Sequence, residues 1–535
     1  MRAVIRDSLE NLYPDSSVTE PACRRMQLDV PRGGIAAVHV LLNDVEPHET
    51  LRLSATENGR RPRGARWFRL VDVPVEENTG LIGFTEGSPK LGAGDNAPNP
   101  FVVRRAPFRV YDAMEPVDGE VRTPAPTTAI RLHLPIPPDA KPGTRTISIS
   151  IRQAGAPCEL ALMLRVHRAT VPPVGRNSLP VTNWFSFENI AQRHGLKMWS
   201  EPYWRMLRRY ADLMAHGRQN TFWIPLSTVF ASTKAGLRLN RERLDRIVGT
   251  FSRAGLHYIE GGHVANRTGG EWEAKTFDTV FGAARATSPE GNAVLASICR
   301  QLMAEISRNR WAARWIQHVT DEPTPTNAAD YRILTGMVRK YMPGIPLLDA
   351  TQDPTLAGSV DIWCPQVQEY QRNRAAYEAQ RKLGDRVWYY TCCFPGGPWL
   401  NRLLDQELLR PLLLGWAGAL FRLDGFLHWG FNHYRQDQDP FTMSVLPHHG
   451  GGTNSLPPGD THIAYPGTDG PWSSLRLEAH REGFEDYELL RILQDKNPRA
   501  ASAVLAKAVT GFDQYTRDVA SFRAARKALL RALGR

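Results

Sequence analysis

Between Val181 and Phe431 the sequence alternates eight times between a short apolar run and a longer segment of helical period. The runs are VTNWFSF (181–187), TFWIPL (221–226), HYIEGG (257–262), RWIQHV (314–319), PLLDA (346–350), VDIWCP (360–365), RVWYYTC (386–392) and GFLHWGF (425–431). Segments such as PYWRMLRRYADLMAHG (202–217), RERLDRIVGTFSRAG (241–255) and YRILTGMVRKYM (331–342) lie between them, and SLRLEAHREGFEDYELLRIL (474–493) closes the series. Short apolar runs that alternate with helical segments read as the strands of βα units, which build parallel sheets. Eight such units predict a (β/α)8 TIM barrel over residues 176–494. A doubly wound open sheet is the other arrangement, but no glycine-rich dinucleotide turn follows the first strand.

The first 175 residues have a different rhythm. Trp67 is the sole tryptophan before residue 180, and the other thirteen fall between Trp184 and Trp472. The runs IAAVHVLL (35–42), AIRLHLPI (129–136), RTISISI (145–151) and LALMLRV (160–166) are separated by turns such as PRGG and KPGT. Period-two patterns broken by glycine and proline predict an N-terminal antiparallel β-sandwich over 1–175, with VPPVGRNSLP (171–180) as linker. A basic helical tail over 495–535 completes the expected organisation.

With 42% hydrophobic and 23% charged residues, the 535-residue chain is not an intrinsically disordered one. No run approaches the roughly 20 apolar residues of a membrane helix. The N-terminus MRAVIRDSLENLYPDSS has no apolar signal region. The expected location is therefore cytoplasmic as the chain is written, and secreted or periplasmic if a leader has been trimmed. Of the net charge of +11, +7 lies in residues 496–535, a terminal helix without a nucleic-acid motif, so nucleic acid is not an expected partner. The six cysteines have no CxxC or zinc spacing and read as reduced, mostly buried residues, and neither a metal nor a cofactor is expected.

A barrel carries its active site where the C-terminal ends of its strands meet the loops. That rule selects Trp184 and Phe185 after the first strand and His263 after the third. It selects Asp321 and Glu322 after the fourth, Asp349 at the fifth, Gln366 at the sixth, and Tyr389, Tyr390 and Thr391 at the seventh. The eighth delivers Trp429, Asn432 and His433. Aromatic rings that stack on sugar faces, with carboxylates that act on a glycosidic oxygen, suit an oligosaccharide or glycoconjugate substrate. Adjacent carboxylates raise at least one pKa by repulsion and burial, as a general acid needs. The competing reading of Asp321-Glu322-Pro323 is a helix start.

Other features carry less. His448 and His449 lack a metal spacing and read as a solvated loop, and Asp424-Gly425 reads as a turn. Glu485-Asp486 reads as a surface or packing-edge pair, and Cys392-Cys393 as core with one thiol able to reach the rim. No GxSxG elbow supports ester hydrolysis.

The stretches NPFVVRRAPFRVYDAMEPV (99–117), HVTDEP (318–323), VWYYTCCFPGGPW (387–399), DGFLHWGFNHYR (424–435) and AYPGTDGPWSSLRLEAHREGFEDYELL (464–490) resemble the domain-of-unknown-function 4091 family, related to glycoside hydrolase family 123. The resemblance implies a β-sandwich ahead of a catalytic barrel. It also implies a retaining exo-β-N-acetylgalactosaminidase working by substrate-assisted catalysis, in which the 2-acetamido oxygen attacks the anomeric carbon to give an oxazolinium. Carried onto this chain, Asp321 would hold the acetamido N–H and Glu322 would be general acid, then base. Tyr389 or Tyr390 would bond the acetamido oxygen, and Trp429 would lie beneath the sugar. A glycosidase for a different sugar and a non-catalytic carbohydrate-binding protein are the alternatives. Linkage, aglycone and oligomeric state are not set by the sequence.

Overall fold

Period-two burial organises the first 170 residues of the computed structural model, which describes residues 1–19, 22–89, 97–155, 157–234, 236–282, 284–447 and 453–534. In strand Gly143–Arg152, Ile147, Ile149 and Ile151 are buried while Thr146 and Ser148 are exposed, the alternation a half-buried strand imposes. One sheet runs Arg2–Asp7, Ile35–Asn43, Thr128–Pro135, Arg66–Val75, Phe108–Val117, Gly470–Ser474, Tyr465–Gly467. The other runs Arg25–Arg32, Cys158–Thr170, Gly143–Arg152, Thr50–Thr56, Glu120–Arg122. They share one core, with Val38, Val40, Ile130 and Leu132 from the first facing Ile147, Ile149, Leu162 and Leu164 from the second. The pairing is not antiparallel throughout: Arg25–Arg32 and Cys158–Thr170 run parallel, with Leu28 opposite Leu164. More than a hundred residues separate these strands, so no tight hairpin dictates their direction.

Strands Ile35–Asn43 and Thr128–Pro135 are buried on both faces: on the outer side His133 meets Glu478 of helix Leu475–Lys496 at 3.8 Å, and Leu41 packs with Val4 and Val18. Arg476 of that helix pairs with Asp112 at 3.0 Å, and both are buried. Strand Gly470–Ser474, just before the helix, joins the same sheet with Ser474 opposite Ala113. The end of the second region is thus hydrogen-bonded into the first.

In the second region the strands are Val181–Asn183, Thr221–Ile224, Tyr258–Gly261, Trp315–His318, Leu347–Asp349, Ile362–Trp363, Arg386–Val387 continued by Tyr389–Tyr390, and Phe426–His428. From the second to the seventh they pair in parallel and in sequence order. Phe426 of the eighth stands opposite both Tyr389 and Val181, which ties it to the seventh and the first. Asn220 N–H donates to Val181 O at 3.2 Å, linking the start of the second strand to the first. All eight therefore point their C-terminal ends the same way.

Helices such as Glu201–His216 and Arg241–Ala254 flank these strands with one apolar face each. Glu201–His216 buries Tyr203, Trp204, Leu207, Tyr210, Ala211 and Met214, the spacing of a single helical stripe. Its start is fixed by Ser200, whose Oγ accepts from Tyr203 N–H, and by Pro202 in the first turn. Helix Arg241–Ala254 stops at Gly255, whose φ of +106° suits a residue without a Cβ.

The basic tail is not a freely solvated face. Helix Val519–Leu533 docks against the second sheet and helix Leu475–Lys496. Arg523 pairs with Asp7 at 2.8 Å, Arg526 with Asp486 at 2.9 Å, and Lys527 with Asp29 at 3.4 Å. This corrects the surface reading of Glu485-Asp486: both are buried, Glu485 on Arg481 at 2.6 Å and Asp486 on Arg526. Arginines brought from other turns and another helix make that burial tolerable. Among the described residues all six cysteines are free, with Cys23 exposed and Cys158 half-buried. No described helix is long and apolar enough to cross a membrane.

Candidate active site

The fourth strand ends at His318, and the chain then leaves the sheet through Val319 and Thr320 to Asp321 and Glu322. The exit is held on both sides. Val264 and Ala265 N–H both donate to Val319 O, at 3.0 and 3.2 Å, and Thr320 N–H donates to Asp349 Oδ2 at 3.3 Å. Thr351 Oγ1 donates to Pro323 O at 3.0 Å. The next helix starts at Ala328, so the acidic pair does not cap it. Glu322 has φ +48°, a left-handed conformation that costs a non-glycine residue of order 1–3 kcal/mol and recurs at functional sites. The carbonyl freed by this turn accepts a hydrogen bond from Arg267 Nη2.

Asp321 and Glu322 open onto a cavity of about 270 Å³. Trp184 comes to it from the first strand, Ala350 from the fifth, and Tyr390, Cys392 and Cys393 from the seventh. Leu427, Trp429 and His433 come from the eighth, and Leu456 from the excursion beyond it. The first region reaches this wall too: Phe84, in the loop after strand Arg66–Val75, packs with Cys393 and Leu456, and its N–H donates to Cys393 O at 3.3 Å.

The Tyr390 hydroxyl donates to Glu322 Oε1 and accepts from Gln352 Nε2 at 2.6 Å. Burial pushes the Glu322 carboxyl up to about 7 and repulsion from Asp321 adds to it, against the pull of Tyr390 and Arg267. Asp321 is also raised by the protein packed around it, while His318 and Arg267 draw it back towards the charged form. Both carboxyls are thus raised, with repulsion from the neighbour added at Glu322 and the attraction of His318 and Arg267 opposing the rise at Asp321.

Beneath the cavity lies a buried charged cluster from three adjacent strands. His318 Nδ1 is 3.1 Å from Glu260 Oε1, and its Nε2 is 3.1 Å from Asp349 Oδ1. Burial disfavours a charged imidazole, but Asp349 and Glu260 more than offset it and push His318 up to about 9. Asp349 also accepts from the Tyr331 hydroxyl. Glu260 accepts from Trp184 Nε1 at 2.9 Å and Thr182 Oγ1 at 2.8 Å. The cluster thus sets the orientation of a cavity-lining ring and places an imidazolium three residues from Asp321. Trp184 also stacks on Trp223 at 4.6 Å.

The second region matches the model of the glycoside hydrolase 123 catalytic domain over residues 184–493, more than half of the chain. The chain belongs to glycoside hydrolase family 123. It is therefore a glycoside hydrolase, acting on glycans, with a multidomain β and α/β fold of the family-123 kind. A family 123 glycoside hydrolase from Clostridium perfringens superposes with a TM-score of 0.74 at 12% identity, covering 100% of this chain and 96% of that one. A Dictyoglomus thermophilum β-D-glucuronidase is far less similar, with a TM-score of 0.34 at 11% identity over 84% of this chain and 89% of that one. Among curated proteins, none matches the chain.

In this family-123 enzyme the residues expected at the rim divide into two groups. Trp184, Asp321, Glu322, Tyr390, Trp429 and His433 line the cavity. Tyr389 does not: alternation along the seventh strand turns it outward, where its hydroxyl donates to Leu414 O at 2.8 Å. Asp349 is fully buried under the fourth-strand exit, and His263 packs edge-on to Trp184 and His318 behind the wall. Asn432 is buried and bonds both Ser186 N–H, at 2.8 Å, and Ser186 O, at 3.2 Å, which clamps the first and eighth loops together. Gln366 stands behind Cys392, its Nε2 3.7 Å from the sulfur. Both Cys392 and Cys393 face the cavity, although Cys393 is buried. His448 and His449 lie outside the described residues.

Sequence reading missed Glu260, His318, Arg267 and the Phe84–Leu456 wall. Glu260 in HYIEGG and His318 in RWIQHV were the available signal, since an ionisable residue inside an apolar strand needs a partner. Phe84 and Leu456 carried none, because Phe84 sits in a loop and Leu456 in a strand of only two residues, too short to show a period.

Proposed function

We propose that the enzyme is a retaining exo-glycosidase that removes a terminal β-linked N-acetylhexosamine, GalNAc foremost, by substrate-assisted catalysis. One observation carries the reading. Among the described lining residues the only carboxylates are Asp321 and Glu322, adjacent in sequence at one strand end, and the rest of the wall is aromatic, aliphatic, thiol or imidazole. Ordinary retaining enzymes place two carboxyl groups about 5–5.5 Å apart on either side of the scissile bond, one of them as nucleophile. With no carboxylate on a facing wall among the described lining residues, the substrate's own acetamido oxygen is the nucleophile that fits.

In this reading the acetamido oxygen bonds to the anomeric carbon as the glycosidic C–O bond breaks. Glu322 gives its proton to the departing oxygen. Asp321 accepts the acetamido N–H and offsets the positive charge of the oxazolinium. Glu322, now a carboxylate, takes a proton from the water that reopens the ring. Trp184 and Trp429 offer faces for the sugar, Trp429 steadied by its Nε1–H to Asp460 Oδ2 at 3.2 Å. A volume near 270 Å³ suits one sugar ring rather than a chain threading through, which favours an exo mode. The Clostridium perfringens relative is described in connection with glycolipid glycan hydrolysis, and glycans of that kind are the substrates to try first.

The architectural reading goes with it: a β-sandwich over 1–175, a (β/α)8 barrel over 176–494 and a helical tail from 495. The ordered parallel pairing, with the eighth strand tied to the first, supports the barrel.

A panel of aryl β-glycosides with and without the 2-acetamido group tests the mechanism. Turnover confined to the acetamido sugars is expected, and equal turnover of plain galactosides or glucosides would overturn it.

A further inference from the structure

Trp272 is 52% exposed and is the sole aromatic among the exposed large apolar side chains of the described residues. It belongs to a short excursion between the paired strands Ala265–Arg267 and Phe277–Thr279, which follow the third parallel strand. The excursion is anchored. Thr268 N–H donates to Thr276 O at 3.0 Å, Thr268 Oγ1 bonds Asp278 Oδ1 at 2.9 Å, and Asn327 Nδ2 donates to Ala274 O at 3.2 Å. The guanidinium of Arg267 lies over the indole, 4.0 Å from its centroid, and the same group donates to the carbonyl oxygen of Glu322. One side chain therefore connects the exposed indole to the backbone of the residue read as general acid.

A general acid stands beside the glycosidic oxygen, and beyond that oxygen lies the leaving group. The cavity has room for one ring, so whatever follows must emerge on the rim near Glu322. An indole backed on one face by a cation is already ordered, and it loses little freedom when a ligand stacks on its other face. We propose that Trp272, held by Arg267, is the leaving-group subsite and stacks the apolar face of the sugar to which the terminal residue is attached. The inference rests on the exo-glycosidase reading above, and it adds a preference for glycan over simple aglycones.

The test compares two substrates of the full-length enzyme, a β-N-acetylgalactosaminyl-galactose disaccharide and methyl N-acetyl-β-galactosaminide, whose methyl group cannot stack. Trp272→Ala should lower kcat/KM on the disaccharide about tenfold, the upper range for one aromatic contact, and leave the methyl glycoside within about twofold. Trp272→Phe should recover part of the loss. Equal losses on both substrates, or none on the disaccharide, would overturn the subsite while leaving the exo-glycosidase reading intact. A wild-type enzyme that cleaves neither substrate would overturn both.

Discussion

Two buried glutamates in this chain, Glu482 and Glu322, have opposite environments. Along helix Leu475–Lys496, Glu482 is held by Arg523 and by Arg526, the latter at 3.1 Å, and Glu478 and Glu485 are held by Arg481 at 3.0 and 2.6 Å. Burial alone would raise Glu482, but Arg523 and Arg526 outweigh it and bring the carboxyl to about 2. At the end of the fourth strand, Glu322 has a tyrosine hydroxyl as its side-chain partner and an acidic neighbour, and it stands near 7. Arg267 is close to Glu322 but spends its hydrogen bond on the backbone carbonyl. The same residue type is thus a fixed anion in one place and an acid poised near neutrality in the other. The difference lies in where the arginines point.

The largest effect should come from Glu322→Gln. Loss of a general acid costs about 10²–10⁴ in kcat, greatest on poor leaving groups, with activated aryl glycosides partly spared. The alkaline limb of the kcat/KM profile, expected near the carboxyl's value of about 7, should vanish with it. Identical losses on good and poor leaving groups would remove Glu322 from the acid's role.

The opposite end of the comparison is broken by Arg526→Met, which strands Glu482 and Asp486 with less cation around them. Removing one partner of a buried ion pair costs about 3–5 kcal/mol, so urea unfolding should shift strongly. The pH profile of kcat/KM should stay in place at temperatures where the variant is folded. A moved profile would show that the two clusters are not independent.

Asp321→Asn should cost about 10²–10³ in kcat on every substrate, because it removes a positioned electrostatic partner whatever the leaving group. His318→Gln should act on the same group indirectly. Without the imidazolium, Asp321 becomes harder to ionise, and the acid limb of the rate profile should move to higher pH; a limb that stays put would cut His318 out of the site's electrostatics.

The smallest effect sharpens the contrast through stability. Glu482 has a folded value near 2 against 4.5 for the ordinary residue, so its contribution is present above about pH 4.5 and fades as pH falls towards 2. Glu322 has the opposite sign: with a folded value near 7, it costs stability increasingly as pH rises from 4.5 to 7 and fully above that. Glu322→Gln should therefore raise the Tm by about 2–4 °C at pH 8 and leave it unchanged near pH 4. A lower Tm at pH 8 would contradict the strained, uncompensated reading of this carboxyl.

Much of this was legible in the chain itself. Eight mostly apolar runs matched the eight parallel strands to within a few residues, since the strands of a parallel sheet covered by helices are largely apolar. The motif HVTDEP placed two carboxylates where a parallel strand ends, and it alone put Asp321 and Glu322 on the rim. Period two allowed either Tyr389 or Tyr390 to face the site, because a run of adjacent aromatics does not reveal which face is inside. Only the tertiary structure decided that Tyr390 bonds Glu322 while Tyr389 turns to Leu414. It alone brought Glu260, His318 and Asp349 together from three strands, and Phe84 from the first region to Cys393, more than 300 residues away. It also turned Glu485 and Asp486 from an apparent surface pair into buried ion-pair partners. Sequence patterns record which face a residue takes on its own strand or helix. The charge state of a buried acid depends on every group within a few ångströms of it, and those groups come from wherever the fold brings the chain.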